Sequence, residues 1–169
     1  EAAEAADLVV VATPVRRVVE DVKAALRGAG PETIVTDVGS TKGPLMRALT
    51  PTEQARCIGG HPLCGSEAAG VANARRSLYD GATYFLTPGA HVDANAYRRL
   101  SGFVTEIGAR PVAIDPEEHD RVMAVVSSRL PGAALSVPFT FEQGSIVVDA
   151  TLTGGAGPGV PALPVRLVL

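Results

Sequence analysis

Residues 36–65 read TDVGSTKGPLMRALTPTEQARCIGGHPLCG. Two polar, glycine-bearing stretches, DVGSTKG (37–43) and GGHPLCG (59–65), each follow a short run that reads as a strand. In an open α/β sheet, the loops at the carboxyl ends of strands face the ligand crevice. The spacing therefore predicts that Ser40, Lys42 and His61 converge on one side of one sheet.

Upstream, DLVVVA (7–12) is a continuous apolar run ended by Thr13-Pro14, the mark of a strand buried on both faces. Thr13 is placed to cap a helix with Pro14 in its first turn. Val15, Val18, Val19, Val22 and Leu26 then recur on one helical face. Gly28-Ala29-Gly30-Pro31 stops the helix, and TIVTD (33–37) makes a second strand. Such a β-α-β unit is right-handed, with parallel strands.

Downstream, Pro44, Leu45, Met46 and Leu49 predict a short helix, and residues 55–58 a third strand leading to Gly59-Gly60-His61-Pro62. Residues 66–80 are alanine-rich and expected to be helical in part. TYFLT (83–87) is a fourth strand. Asp93 or Asn95 starts a helix with the face Tyr97, Leu100, Phe103, Val104 and Ile107, stopped by Gly108. RPVAI (110–114) is a fifth strand. Asp115-Pro116-Glu117-Glu118 then joins an N-cap, a proline at the first helical position and an acid three residues on, opening a helix to about Ser127.

This alternation predicts an α/β fold over residues 1–128: a partial Rossmann-like parallel sheet with flanking helices. Residues 131–169 hold five prolines, six glycines and only three charged side chains, so no helical period survives there. FTFEQGSIVVDATL can pair as a hairpin, whereas GGAGPGVPALP is not regular structure. We read 129–169 as an irregular Pro/Gly-rich tail and not as a second domain.

With 169 residues there is length for one domain with a sizeable core. A net charge of −3 gives no footing for a nucleic-acid partner, which shows as clustered Lys and Arg. No apolar run has the length of a membrane span and no signal peptide opens the chain, so the expected location is cytoplasmic. Cys57 and Cys64 make no disulfide framework. With His61 they would give three metal ligands in one loop and no second pair, so we read core or loop cysteines and expect no metal. The chain begins at Glu1, with a strand following within a few residues, and we read it as a piece of a longer protein.

His61 titrates near neutral pH and can accept a proton from a substrate hydroxyl, or it merely hydrogen-bonds within a Gly-Pro turn. Ser40 either orients the substrate or the histidine, or caps the helix beginning near Lys42. Lys42 either attracts an anion or is solvated at a helix start. Glu67 is a site carboxylate or a first-turn helix acid. Arg75-Arg76 and Arg98-Arg99 read as exposed helix faces, and His91 is given no role. Gly39 and Gly59-Gly60 carry no Cβ and let backbone approach a ligand closely. Yet no G-x-G-x-x-G occurs, nor the acid expected after the second strand, so the crevice lacks its pyrophosphate fingerprint.

At these residues the sequence resembles the prephenate/arogenate dehydrogenase family of tyrosine biosynthesis. The matching segments are ADLVVVATPV (6–15), VTDVGSTKGPL (35–45), GGHPLCGSEAAGVANA (59–74), LYDGATYFLTP (78–88) and IDPEEHDRVMAVVS (114–127). The resemblance implies oxidative decarboxylation of prephenate or arogenate with NAD or NADP. It implies that His61 accepts a hydrogen bond from the ring hydroxyl, that Ser40 bridges histidine, substrate and nicotinamide, and that Glu67 lies near the substrate. Thr13 and Pro14, with Gly39 and Ser40, would pass beside the cofactor. The intact family is expected to be a homodimer acting on a small molecule, without nucleic acid or membrane.

Three departures accompany the resemblance. The family's glycine-rich β-α-β should precede Glu1. Its S-H-L-P-H segment is replaced here by Ser127-Ser128-Arg129-Leu130-Pro131-Gly132. Its helical dimerisation domain, with the substrate-binding arginine, does not follow. The break in pattern points to a reading-frame change or a cropped copy, so we expect the chain alone to be inactive or nearly so. Rival readings are a non-catalytic remnant and another hydroxyacid dehydrogenase of the same fold.

Overall fold

The computed structural model describes residues 3, 5–64, 76–129, 139–142, 145–152 and 163–168. Five strands form one sheet in sequence order: β1 (Leu8–Val11), β2 (Ile34–Asp37), β3 (Cys57–Pro62), β4 (Thr83–Pro88) and β5 (Arg110–Ala113). β1, β2 and β3 are mutually parallel, with Leu8 opposite Ile34 and Val35 opposite Cys57. β3 and β4 are antiparallel, with His61 opposite Phe85, and β4 and β5 are again parallel.

The sheet is therefore mixed, and the expectation of an all-parallel sheet is corrected at β3–β4. Residues 83–87 are all buried. A strand buried on both faces reads alike in either direction, so its pattern carries no sign of the reversal.

Helix α1 (Val18–Gly28) packs Val18, Val22 and Leu26 against Val11, Val35 and Cys57. It starts later than Thr13-Pro14 predicts. Residues 15–17 form a turn, Arg17 is the N-cap, and Val15 is 50% exposed, off the core face. Helix α2 (Gly43–Ala48) adds Leu45 and Met46 to the same core. Helix α3 (Pro51–Gln54) opens with a capping box between Thr50 and Glu53.

Helix α4 (Ala94–Glu106) covers the other half of the sheet through Ala96, Leu100 and Val104, against Ile58, Tyr84 and Leu86. Of the two candidate caps, Asp93 is the one used, accepting from the amides of Asn95 and Ala96. Phe103 is 40% exposed, so the predicted apolar face is narrower than its spacing implied. Gly108 ends the turn with φ +92°, a conformation that glycine adopts without strain. Asp115 caps α5 (Pro116–Arg129) by accepting from Glu117 N and Glu118 N.

The alanine-rich prediction meets a 3-10 turn at Arg76–Tyr79. Residues 65–75 lie outside the described residues. In the tail, β6 (Phe139–Glu142) and β7 (Ser145–Leu152) pair as an antiparallel hairpin. β8 (Leu163–Val168) adds an antiparallel strand to β7.

Candidate active site

Because β1, β2 and β3 run the same way, their carboxyl ends meet at one edge. Val11 lies opposite Asp37, and Val38 N donates to Val11 O at 3.2 Å just past the last pair. Thr13 and Pro14 after β1, and Ser40 after β2, are exposed at this edge, while Gly39 is half-buried. Lys42, not Ser40, is the N-cap residue of α2, and it makes no side-chain cap bond. This removes the capping role as an explanation of Ser40.

The GGHP segment is strand and not loop. Gly59, Gly60 and half-buried His61 belong to β3 and pair with Thr87, Leu86 and Phe85. The glycines serve close packing between protein groups. A Cβ on Gly60 would stand 2.5 Å from the Asp37 carbonyl oxygen, and one on Gly59 would collide with Thr87 Oγ1. Gly39 N donates to Asp37 Oδ2 at 2.8 Å, so that amide is already committed.

Lys42 is 0% exposed, against the expectation of a solvated lysine. Its ammonium pairs with Asp37 and donates to Gly60 O at 2.8 Å. Asp37 Oδ1 also accepts from Gly60 N at 3.3 Å. Burial lowers the lysine pKa below its usual range, and Asp37 opposes that fall. The DVGSTKG turn is thus held from inside by an ion pair that grips the residue before His61.

His61 Nδ1 lies 2.9 Å from His119 Nε2, and His119 Nδ1 lies 2.8 Å from Asp120 Oδ1. His119 is fully buried, its ring edge-on to His61 and to Phe85 at centroid separations of 5.1 and 5.5 Å. Asp120 Oδ1 accepts from Lys42 N at 2.8 Å and Oδ2 from Gly43 N at 2.9 Å. One carboxylate therefore ties α5 to the start of α2. An Arg47–Glu117 ion pair joins the same helices at the surface.

Burial, then the neighbouring His119 and Lys42, push the His61 pKa down to about 3. Burial likewise lowers His119, with Asp120 opposing. For Asp120, burial acts upward. The hydrogen bonds from His119, Lys42 and Gly43 outweigh it and hold the carboxyl below its usual range. His61 is therefore a neutral imidazole at physiological pH, able to accept a hydrogen bond.

The structure brings His61 together with His119, Asp120, Lys42 and Asp37, and places Thr13 and Ser40 on the same strand-end edge. Glu67 lies outside the described residues. His119 and Asp120 escaped the reading of the sequence. Their only local signal is a His-Asp pair in the first turns of a capped helix, 58 residues from His61. Cys57 is a buried β3 residue whose thiol burial pushes up to about 12, and Cys64 is half-buried. His91 is exposed. Among the described residues, no helix is long and apolar enough to cross a membrane.

The family model described as prephenate dehydrogenase, nucleotide-binding domain, matches residues 1–113. The prephenate dehydrogenase of Bacillus subtilis is 38% identical over 122 residues, which are 70% of this chain and 33% of that protein. The probable prephenate dehydrogenase NovF of Streptomyces niveus is 36% identical over 139 residues, covering 81% of this chain and 38% of that protein.

Prephenate dehydrogenase from Aquifex aeolicus, solved in complex with hydroxyphenyl propionate and NAD+, superposes with a TM-score of 0.67 at 34% identity. That match covers 72% of this chain and 42% of the other. The chain spans between a third and two fifths of the relatives' own length. With the family model covering 113 of 169 residues, the chain belongs to the prephenate dehydrogenase family, through its nucleotide-binding domain.

Proposed function

We propose that the protein carrying this domain converts prephenate to 4-hydroxyphenylpyruvate, releasing CO2 and reducing NAD. The observation that carries this reading is a neutral, half-buried His61 at the strand-end edge that also bears Thr13 and Ser40. Thr13, Pro14 and Ser40 are exposed there, so their backbone and hydroxyl groups are open to the nicotinamide half of a dinucleotide. Gly39 borders the same place, with its amide already bonded to Asp37. When bound, the nicotinamide supplies the hydride acceptor.

His61 accepts a hydrogen bond from the ring hydroxyl and draws electron density toward the carbinol carbon, which favours loss of its hydride. Ser40 orients that hydroxyl against the histidine. Glu67 is proposed as a carboxylate near the substrate. The protein is proposed to act in the cytoplasm as a homodimer.

Since this chain spans about a third of the Bacillus subtilis relative, its 169 residues alone are expected to turn over little or no substrate. A reactant held by an incomplete site loses most of the gain from orientation. The test follows the absorbance of reduced nicotinamide with prephenate or arogenate, and NAD or NADP, as four arms. The protein expressed from its complete coding sequence is compared with the 169-residue chain. Turnover with prephenate and NAD is expected only from the complete protein. Folded complete protein that is inert in every arm would overturn the reading, and a preference for arogenate or NADP would replace that part of it.

A further inference from the structure

We infer that Asp120 and His119 are positioning residues which hold His61 in the tautomer protonated at Nδ1, leaving Nε2 bare. The inference rests on the reading of His61 as the acceptor for a substrate hydroxyl, and it supplies what that reading needs. A neutral imidazole accepts at only one nitrogen, and which one depends on the hydrogen bond made by the other.

The chain of donors fixes the outcome. Asp120 takes an amide hydrogen from Lys42 on one oxygen and from Gly43 on the other, at 2.8 and 2.9 Å. A carboxylate so placed stays ionised and can only accept. The hydrogen on the 2.8 Å contact to His119 therefore sits on His119 Nδ1. A neutral His119 then offers a lone pair at Nε2, and the 2.9 Å contact to His61 requires the hydrogen on His61 Nδ1. Two rings relay the ionisation state of Asp120 to the acceptor atom of His61.

The alternative is a doubly protonated His119, which would reverse the bond to His61. The charged groups facing the pair are Asp120 from α5, Asp37 from the end of β2 and Lys42 from the turn that follows. Asp37 is matched by Lys42, and Lys42 itself opposes a second buried cation. His119 is 0% exposed, with the ring of Phe85 against it, so a cation there would be poorly solvated. Asp120, and more weakly Asp37, favour the charged form, and burial outweighs them.

The test needs no turnover. The chain has three histidines, so a 15N-histidine-labelled sample is assigned by replacing each in turn. In neutral buffer, long-range 15N–1H spectra should give His61 and His119 a pyrrole-type shift at Nδ1 and a pyridine-type shift at Nε2. A pyrrole-type Nε2 on His61 overturns the inference. In Asp120→Ala, the His61 Nε2 resonance should move toward the protonated type, and a folded variant with unchanged His61 shifts overturns the inference. Should Asp120→Ala fail to fold, His119→Phe removes the same bond while keeping a buried ring, and the same shift is expected. Correct tautomers in a complete protein that turns over no substrate would overturn the proposed function and leave this inference standing. Turnover with the opposite tautomer would do the reverse.

Discussion

Lys42 and Gly60 are joined by a 2.8 Å hydrogen bond from a fully buried ammonium to a strand carbonyl, while Asp37 neutralises the charge. The DVGSTKG turn and the strand bearing His61 are one unit because of this bond. Replacing Lys42 by Met leaves Asp37 buried and unpaired, a change that costs about 3–5 kcal/mol. Urea denaturation should show that loss. The double variant Asp37→Leu, Lys42→Met should recover much of it, because no lone charge is left inside.

The two glycines before His61 have a packing role that a substitution can measure. A Cβ on Gly60 meets the Asp37 carbonyl at 2.5 Å and the Tyr84 ring at 2.9 Å, and the first of these is a backbone atom of the paired strand β2. Gly60→Ala is expected to destabilise by roughly 1–3 kcal/mol. Gly28→Ala, in the last turn of α1 with nothing within 4 Å, is expected to be neutral or stabilising by up to about 1 kcal/mol. Opposite signs in thermal or urea melts would bear out the distinction.

Acid stability carries the signature of the paired histidines. His61 falls from 6.5 to about 3 on folding, and His119 is also lowered. Between these values the unfolded chain binds protons that the folded chain refuses, so stability is full above about pH 6.5 and declines as pH falls toward 3. Asp120 and Glu53 are lowered from 3.8 and 4.5, so their contribution is lost as pH falls below these values, under the upper part of the histidine range. His61→Asn should therefore flatten the decline between about pH 6.5 and 5, read as the change in urea midpoint. An unchanged slope would contradict the buried, neutral state of His61.

Most of the sheet was legible in sequence order, because β-branched runs such as DLVVVA and TIVTD, broken by Gly and Pro clusters, announce buried strands. The strand-end placement of Thr13 and Ser40 followed from that order. Three features did not. The direction of β4 was hidden because TYFLT is buried on both faces. The burial of Lys42 was hidden because its partner, Asp37, reads as the end of a strand and not as a counter-ion. His119 and Asp120 were hidden because they reach His61 and Lys42 only after β4 reverses and α5 folds back, across 58 and 78 residues. Short-range pattern reports faces and ends of elements, whereas such pairings exist only in the assembled fold.

The proposed role of His61 is to act on the reacting hydroxyl of the substrate. It is tested most directly by His61→Asn in the complete protein, with steady-state kinetics in prephenate and NAD. Loss of a positioned acceptor should lower kcat by about 10²–10⁴-fold while the KM for NAD changes little. A variant that keeps kcat within a few-fold of the parent would contradict the account.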